Sequence, residues 1–80
     1  MARLTVVSMP GRENVGEVEM PDATSMGYAA KRVAEFVGID PDLKGLVLID
    51  LVHMGGRSHI DPTDVAKNWD GKRVVLGMDL

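Results

Sequence analysis

Only one segment of this chain has the apolar periodicity of an amphipathic helix. Between residues 26 and 37 apolar residues recur at intervals of four and three, with charged residues between them. These apolar residues are Met26, Ala30, Val33 and Val37. Gly38 suits the left-handed residue that ends a helix, and Pro41 cannot continue one. The remaining apolar segments are short, so the fold has to bury one helical face against strands.

The N-terminal half outside the helix has the features of strands. Residues 4–9 are rich in β-branched side chains and run into the turn-forming pair Pro10-Gly11. Residues 15–20 alternate small or apolar side chains with glutamates, which places Val18 and Met20 inward. These two strands should form a hairpin. Residues 45–52 form the most apolar run and predict a central strand.

The C-terminal half predicts shorter elements. Residues 57–60 follow the diglycine Gly55-Gly56 and indicate a tight turn and a brief edge strand. Residues 61–64 supply a helix cap with a proline behind it, so residues 65–68 should form one helical turn. Residues 72–78 form the last strand. For the main helix, Thr24 is the predicted N-terminal cap, with Asp22 and Ser25 as alternatives.

Length and composition limit the class of protein. With 80 residues, no linker and no repeat, residues 1–80 are predicted to form a single domain. The absence of cysteine excludes disulfides and thiolate chemistry and favours a cytoplasmic protein. No apolar run approaches the roughly 20 residues that span a bilayer. Nine basic and twelve acidic residues, without a basic cluster, argue against a nucleic-acid partner.

The order of elements resembles the β-grasp fold of the ubiquitin-like superfamily. Residues 17–21 resemble the end of its second strand, Thr24 its helix cap, and residues 38–42 the corner that follows its helix. The likeness covers almost the whole chain. It implies an α+β fold in which a mixed four- or five-stranded sheet packs on one amphipathic helix.

The C-terminal residues depart from the conjugating members of that superfamily. Those members end in Gly-Gly, whereas this chain ends with residues 76–80, Leu-Gly-Met-Asp-Leu. The resemblance therefore implies a non-conjugating relative that binds another protein as an adaptor, accessory subunit or regulator. The alternative is a small protein modifier or sulfur carrier that is activated at a processed C-terminus.

The segment with His53 and His59 contains the residue types most typical of a metal or catalytic site. A metal site would need both histidines and a further ligand such as Asp50, Asp61 or Asp64, but the spacing matches no standard zinc pattern. Turn formation is the favoured interpretation, and a small metal-binding protein is a third hypothesis. Asp61 and Asp64 could form an acid–base pair, but the sequence offers no nucleophile beside them. No catalytic residue, metal or cofactor is predicted, and the protein is not expected to be an enzyme.

The outer face of the predicted sheet is the expected partner-binding surface. If alternate residues of the first, third and last strands face away from the helix, an apolar patch with a basic rim results. Its predicted members are Val7, Leu46, Leu48, Arg73 and Val75, with Arg57 as a further candidate for the rim. Trp69 is expected to fill one end of the core. The pattern predicts a protein partner, and the oligomeric state is left open.

Overall fold

The predicted amphipathic helix is present as α1, Met26–Val37. A computed structural model describes residues 1–8, 13–50 and 58–78 of the chain. The buried side of α1 differs from the predicted stripe, because Ala29 and Ala34 join it. Its buried residues are Met26, Ala29, Ala30, Val33 and Ala34. The predicted turns at Pro10-Gly11 and Gly55-Gly56 lie outside the described residues, as do His53 and Arg57.

In residues 1–8, 13–50 and 58–78, five strands and a short 3₁₀ helix accompany α1, in the predicted order. The strands are β1 (Ala2–Ser8), β2 (Glu13–Met20), β3 (Leu46–Asp50), β4 (Ser58–His59) and β5 (Arg73–Met78). The predicted helical turn is a 3₁₀ helix at Ala66–Trp69, one residue later than expected. Strand boundaries agree with the predicted ones to within about two residues, which is the usual uncertainty of strand and helix ends.

All five strands form one mixed sheet with the order β2-β1-β5-β3-β4. β1 is antiparallel to β2 and parallel to β5, while β3 is antiparallel to both β5 and β4. The last strand therefore lies between the first and third strands. The fold is α+β with a five-stranded mixed sheet packed on one helix, which is a β-grasp arrangement.

The core lies between α1 and the inner face of the sheet. Val18 and Met20 face inward, as the alternating pattern of the second strand predicted. The side chains that the sheet contributes to the core are Ala2, Leu4, Val6, Val18, Met20, Leu48 and Val74. Trp69 and Leu76 are partly buried against it, so the expected core position of Trp69 is confirmed. Each large apolar side chain buried here stabilises the fold by roughly 1.5 to 3 kcal/mol.

Ser25, rather than the favoured Thr24, caps the N-terminus of α1. The Ser25 hydroxyl accepts a hydrogen bond from the Tyr28 N–H at 3.2 Å. Thr24 instead uses its main-chain carbonyl, which accepts from the Ala66 N–H at 2.8 Å. Ser25 also pairs with Val65 in an isolated antiparallel bridge. Adjacent threonine and serine are both good caps, so local sequence alone could not separate them.

Alanine substitutions at these two positions distinguish the caps. Ser25→Ala should lower the free energy of unfolding by about 1 kcal/mol, because a helix N–H loses its acceptor. Thr24→Ala keeps the main-chain hydrogen bond to Ala66 and should cost clearly less. Urea denaturation of both variants measures the difference. Equal losses, or a larger loss for Thr24→Ala, would contradict the assignment of the cap.

Candidate functional site

The outer face of the sheet brings together two of the predicted partner-binding residues. The parallel register that pairs Val6 with Val74 places Val7 beside Val75. Ile49 pairs with Val75 from the other side, so the three side chains form a row across the sheet. However, Val7 is only 2% exposed and Val75 8% exposed, although neither belongs to the core cluster. They offer a partner little surface.

The predicted outward orientation of Leu46 and Leu48 is wrong. Leu48 belongs to the core, and Leu46 packs partly buried against it. The partly exposed residues Val47 and Ile49 take the outward positions in β3. The error has a physical cause: β3 is apolar at four consecutive positions, and such a run has no alternation to indicate which side faces the helix.

Charged residues do lie on the outer face. Arg73 is exposed and pairs with Thr5, so it borders the valine row as predicted. On the other side of β1, the Arg3 Nη2 atom lies 2.6 Å from Oε1 of Glu19, and its Nε atom 3.2 Å from Oε2 of Glu17. The hydrogen bond that Arg3 donates to Glu19, together with the charges of both glutamates, raises the pKa of Arg3 above its ordinary value. This network joins β1 to β2.

The described part of a possible histidine–aspartate metal site does not converge. His59 pairs with Ile49 on the outer face, whereas Asp50 is opposite Val74 and lies on the inner face. Among residues 1–8, 13–50 and 58–78, no group of three or more histidine, aspartate or glutamate residues could hold a metal ion. Because His53 lies outside these residues, the metal hypothesis as a whole stays a prediction.

Asp61 and Asp64, the candidate acid–base pair, both accept hydrogen bonds in the turn before the 3₁₀ helix. Asp61 Oδ1 accepts from the Thr63 N–H at 2.9 Å, and this hydrogen bond lowers the pKa of Asp61. Asp64 accepts from the Asn68 amide at 2.7 Å and from the Trp69 indole N–H at 2.9 Å. These hydrogen bonds to the ionised form lower the pKa of Asp64. The turn is thus held by carboxylates.

Removing the charge of Asp64 should make the stability of the protein depend less on pH in the acid range. Because its folded pKa is lowered, Asp64 stabilises the protein above its unfolded pKa of about 3.9, and this contribution is lost as the pH falls through the folded value. Asp64→Asn should lower stability at pH 7. Its urea midpoint should also change less than that of the wild type when the pH is lowered from about 5 to 2. An unchanged pH profile would contradict this role.

An apolar groove lies between the loop after α1 and the sheet. Gly38 ends the helix with a φ of 82°, and the Ile39 N–H donates to the Ala34 carbonyl at 2.8 Å. This left-handed ending turns the chain toward the sheet. Asp40 Oδ1 accepts from the Asp42 N–H at 3.0 Å and holds the next turn. Leu43 follows this turn. Both apolar residues of the loop, Ile39 and Leu43, line one cavity.

The groove combines exposed walls with a half-buried floor. Ile39 is 41% exposed and Leu43 45% exposed. Leu46 and Leu76 are partly buried and line the same cavity together with Gly77. Its volume is about 270 Å³. Pockets for drug-sized ligands usually measure roughly 300 to 1,000 Å³. The groove is therefore suited to one or two apolar side chains of a partner.

This groove is not among the sites that the sequence predicts. Residues 38–42 resemble a corner after the helix, but Ile39 and Leu43 are also apolar residues in an otherwise polar loop. That contrast is the signal that could have indicated it. Leu46 belongs to both the predicted partner surface and the observed groove, but it reaches the groove from the helix side of the sheet.

Comparison with known proteins shows similarity at the level of the fold. Neither a known protein family nor a curated protein matches the sequence. Among solved structures, 41 chains match. One, from a crystal structure of ATBAG1 in complex with HSP70, has a TM-score of 0.65 and 18% identity over 99% of this chain, which spans 41% of that chain. The designed protein dRafX6 has a TM-score of 0.59 and 15% identity, with 98% of this chain and 94% of that chain covered.

The helices of the described residues are short. α1 has 12 residues, whereas a helix that crosses a bilayer needs roughly 20. Within residues 1–8, 13–50 and 58–78, no helix is both long and apolar enough to span a membrane.

Proposed function

We propose that this chain is a non-enzymatic, cytoplasmic protein-binding module of the ubiquitin-like superfamily that acts as an adaptor, accessory subunit or regulator. The observation that carries the proposal is the apolar groove of Ile39, Leu43, Leu46 and Leu76. Its two exposed walls leave apolar surface in water, and a partner side chain would remove that surface from water. Because the cavity is shallow and small, a protein side chain fits it better than a cofactor or a small substrate does.

The fold supports the same proposal. A solved structure of similar fold contains ATBAG1 in complex with HSP70, so a protein that includes this fold occurs in a complex with another protein. The polar cavity beside Arg3 does not favour catalysis, since the Arg3 N–H donates to Asp70 and its side chain is occupied by Glu19. The absence of cysteine supports the cytoplasmic assignment.

The proposed site differs from the one that the sequence indicated. The outer face remains a candidate through Arg73 and the partly exposed residues of β3, but its valines are nearly inaccessible. The groove offers more apolar surface, and we therefore place the partner there.

A charged residue in the wall of the groove should prevent partner binding. Leu43→Glu introduces a carboxylate that a bound partner would have to desolvate, while the half-exposed position leaves the core intact. Tyr28→Glu is the matched control, because Tyr28 is 55% exposed on α1 and does not line the groove. The wild type and the control should retain the same host protein in a pull-down, and Leu43→Glu should lose it. Circular dichroism verifies that both variants are folded.

Two results would contradict this proposal. The first is capture of the same protein by folded Leu43→Glu, and the second is a wild type that captures no host protein. The alternative, activation at a processed C-terminus, concerns residues 76–80, and the last two of these lie outside the described residues. Mass spectrometry of the protein from its host distinguishes the two hypotheses. A shortened chain or a covalent adduct supports activation at the C-terminus, and an intact chain ending at Leu80 supports the binding module.

A further inference from the structure

Strand β2, Glu13–Met20, forms one edge of the sheet and is among its longest strands. Its pairing is with β1, and among the described residues no strand pairs with its other side. An edge strand presents main-chain N–H and C=O groups that can bind an added strand. This edge is separate from the apolar groove, which is lined by residues of the loop after α1 and of β3 and β5.

Hydrogen bonds of β1 show which residues of β2 face the open side. The Arg3 carbonyl accepts from Gly71 at 2.8 Å, and the Thr5 N–H donates to Lys72 at 3.0 Å. The main-chain groups of Arg3 and Thr5 therefore point toward β5. Successive residues of a strand point their main-chain groups to opposite sides, so those of Leu4 face β2.

The same alternation shows which main-chain groups of β2 point away from β1, to the open edge of the sheet. Leu4 pairs with Val18, so the main-chain groups of Val18 point toward β1. Those of Glu17 and Glu19 then point away from the sheet. An extended peptide along this edge would form its hydrogen bonds with these two glutamates. The peptide residue between the bonded positions would lie opposite Val18, with its side chain on the helix side of the sheet.

A shallow groove between β2 and α1 lies where that central side chain would be placed. It is lined by Val18 of β2 and by Arg32, Glu35 and Phe36 of α1, and its volume is about 250 Å³. Phe36 is 45% exposed, and its ring lies over Gly16, where an added Cβ atom would be only 2.5 Å from Cζ of the ring. The aromatic face and the Val18 side chain make this groove suitable for an apolar residue.

The charges of Glu17 and Glu19 favour particular peptide residues on either side of the central one. The peptide side chains opposite Glu17 and Glu19 would lie on the outer face beside these carboxylates, whose side chains are 53% and 47% exposed. Arg3 is their cationic partner, so two negative charges share one positive charge. Lysine or arginine at both peptide positions would complement the remaining charge. A second copy of this chain would instead place glutamates near glutamates, which disfavours self-pairing.

We propose that the edge of β2 binds an extended basic–apolar–basic segment of a partner protein by strand addition. The basic residues contact Glu17 and Glu19 on the outer face, and the apolar residue enters the groove between β2 and α1. Main-chain hydrogen bonds provide the register, and the alternating side chains provide the specificity. This interaction goes beyond the proposed function, because it uses a different surface and a different kind of partner contact.

Synthetic peptides with a central Lys-Leu-Lys sequence test the proposal by titration into ¹⁵N-labelled protein. The amide signals of Glu17 and Glu19 should shift, and their hydrogen exchange should slow. Replacing the peptide leucine by asparagine, or both lysines by glutamate, should weaken binding by about tenfold. Methylation of the peptide nitrogen atoms that pair with β2 should also weaken it, because the main-chain donors are lost.

Charge-reversed protein variants provide the matched controls. Glu17→Lys with Glu19→Lys should transfer the preference to the peptide with two glutamates. Asp40→Lys with Asp42→Lys makes the same change in net charge in the loop after α1 and should keep the original preference. Leu43→Glu should bind the peptide like the wild type, so failure of the groove proposal and failure of this one are distinguishable.

Three outcomes would overturn the proposal. One is equal binding of the basic and acidic peptides, and another is binding that leaves the amides of Glu17 and Glu19 unprotected. The third is a concentration-dependent dimer, detected by sedimentation, that protects these amides without peptide, since this edge would then bind a second copy. Peptide binding should also weaken as salt is raised, because the charges involved are exposed.

Discussion

Burial of one face of α1 against the inner face of the sheet is the interaction on which this structure depends. A chain of 80 residues without cysteine has no disulfide to support a weak core. Ala29 and Ala30 are fully or almost fully buried, and their small side chains let the helix lie close to the sheet. Strands from both halves of the chain contribute Leu4, Leu48 and Val74 to the same cluster. Loss of this contact would expose the apolar inner face of the sheet to water.

Both ends of the helix are tied to loops, and these loops determine the surfaces. At the N-terminus, the Met26 N–H donates to the Asp64 carbonyl at 2.8 Å, and the Gly27 N–H to the Pro62 carbonyl at 3.0 Å. A Cβ atom at Gly27 would lie 3.2 Å from Pro62, so this loop packs closely on the helix. At the C-terminus, Gly38 turns the chain so that Ile39 reaches the groove. One helix thus connects the carboxylate-held turn at one end with the apolar groove at the other.

The two proposed binding surfaces use different physical contacts. The groove offers apolar area beside β3 and β5, whereas the edge of β2 offers main-chain hydrogen bonds with charges on one side and a shallow apolar groove on the other. Affinity at the first would come from burial of apolar area and at the second from hydrogen bonding and charge complementarity. Their lining residues are different, and β1 lies between the edge strand β2 and the nearest strand of the groove, β5.

Local patterns in the sequence determined the order of elements, the position of α1, the left-handed ending at Gly38 and the inward side chains of β2. These features depend on neighbouring residues, whose periodicity, glycine chemistry and alternation can be recognised without tertiary contacts. The apolar run of β3 carries no such alternation, and only its antiparallel register with β5 decided that Leu48 faces the core and Ile49 the outer face. Likewise, the Thr24 carbonyl bonds to the distant Ala66 while the Ser25 hydroxyl caps the helix, and the loop after α1 meets β5 to form the groove. These contacts join residues far apart in the chain, which is why only the tertiary structure could decide them.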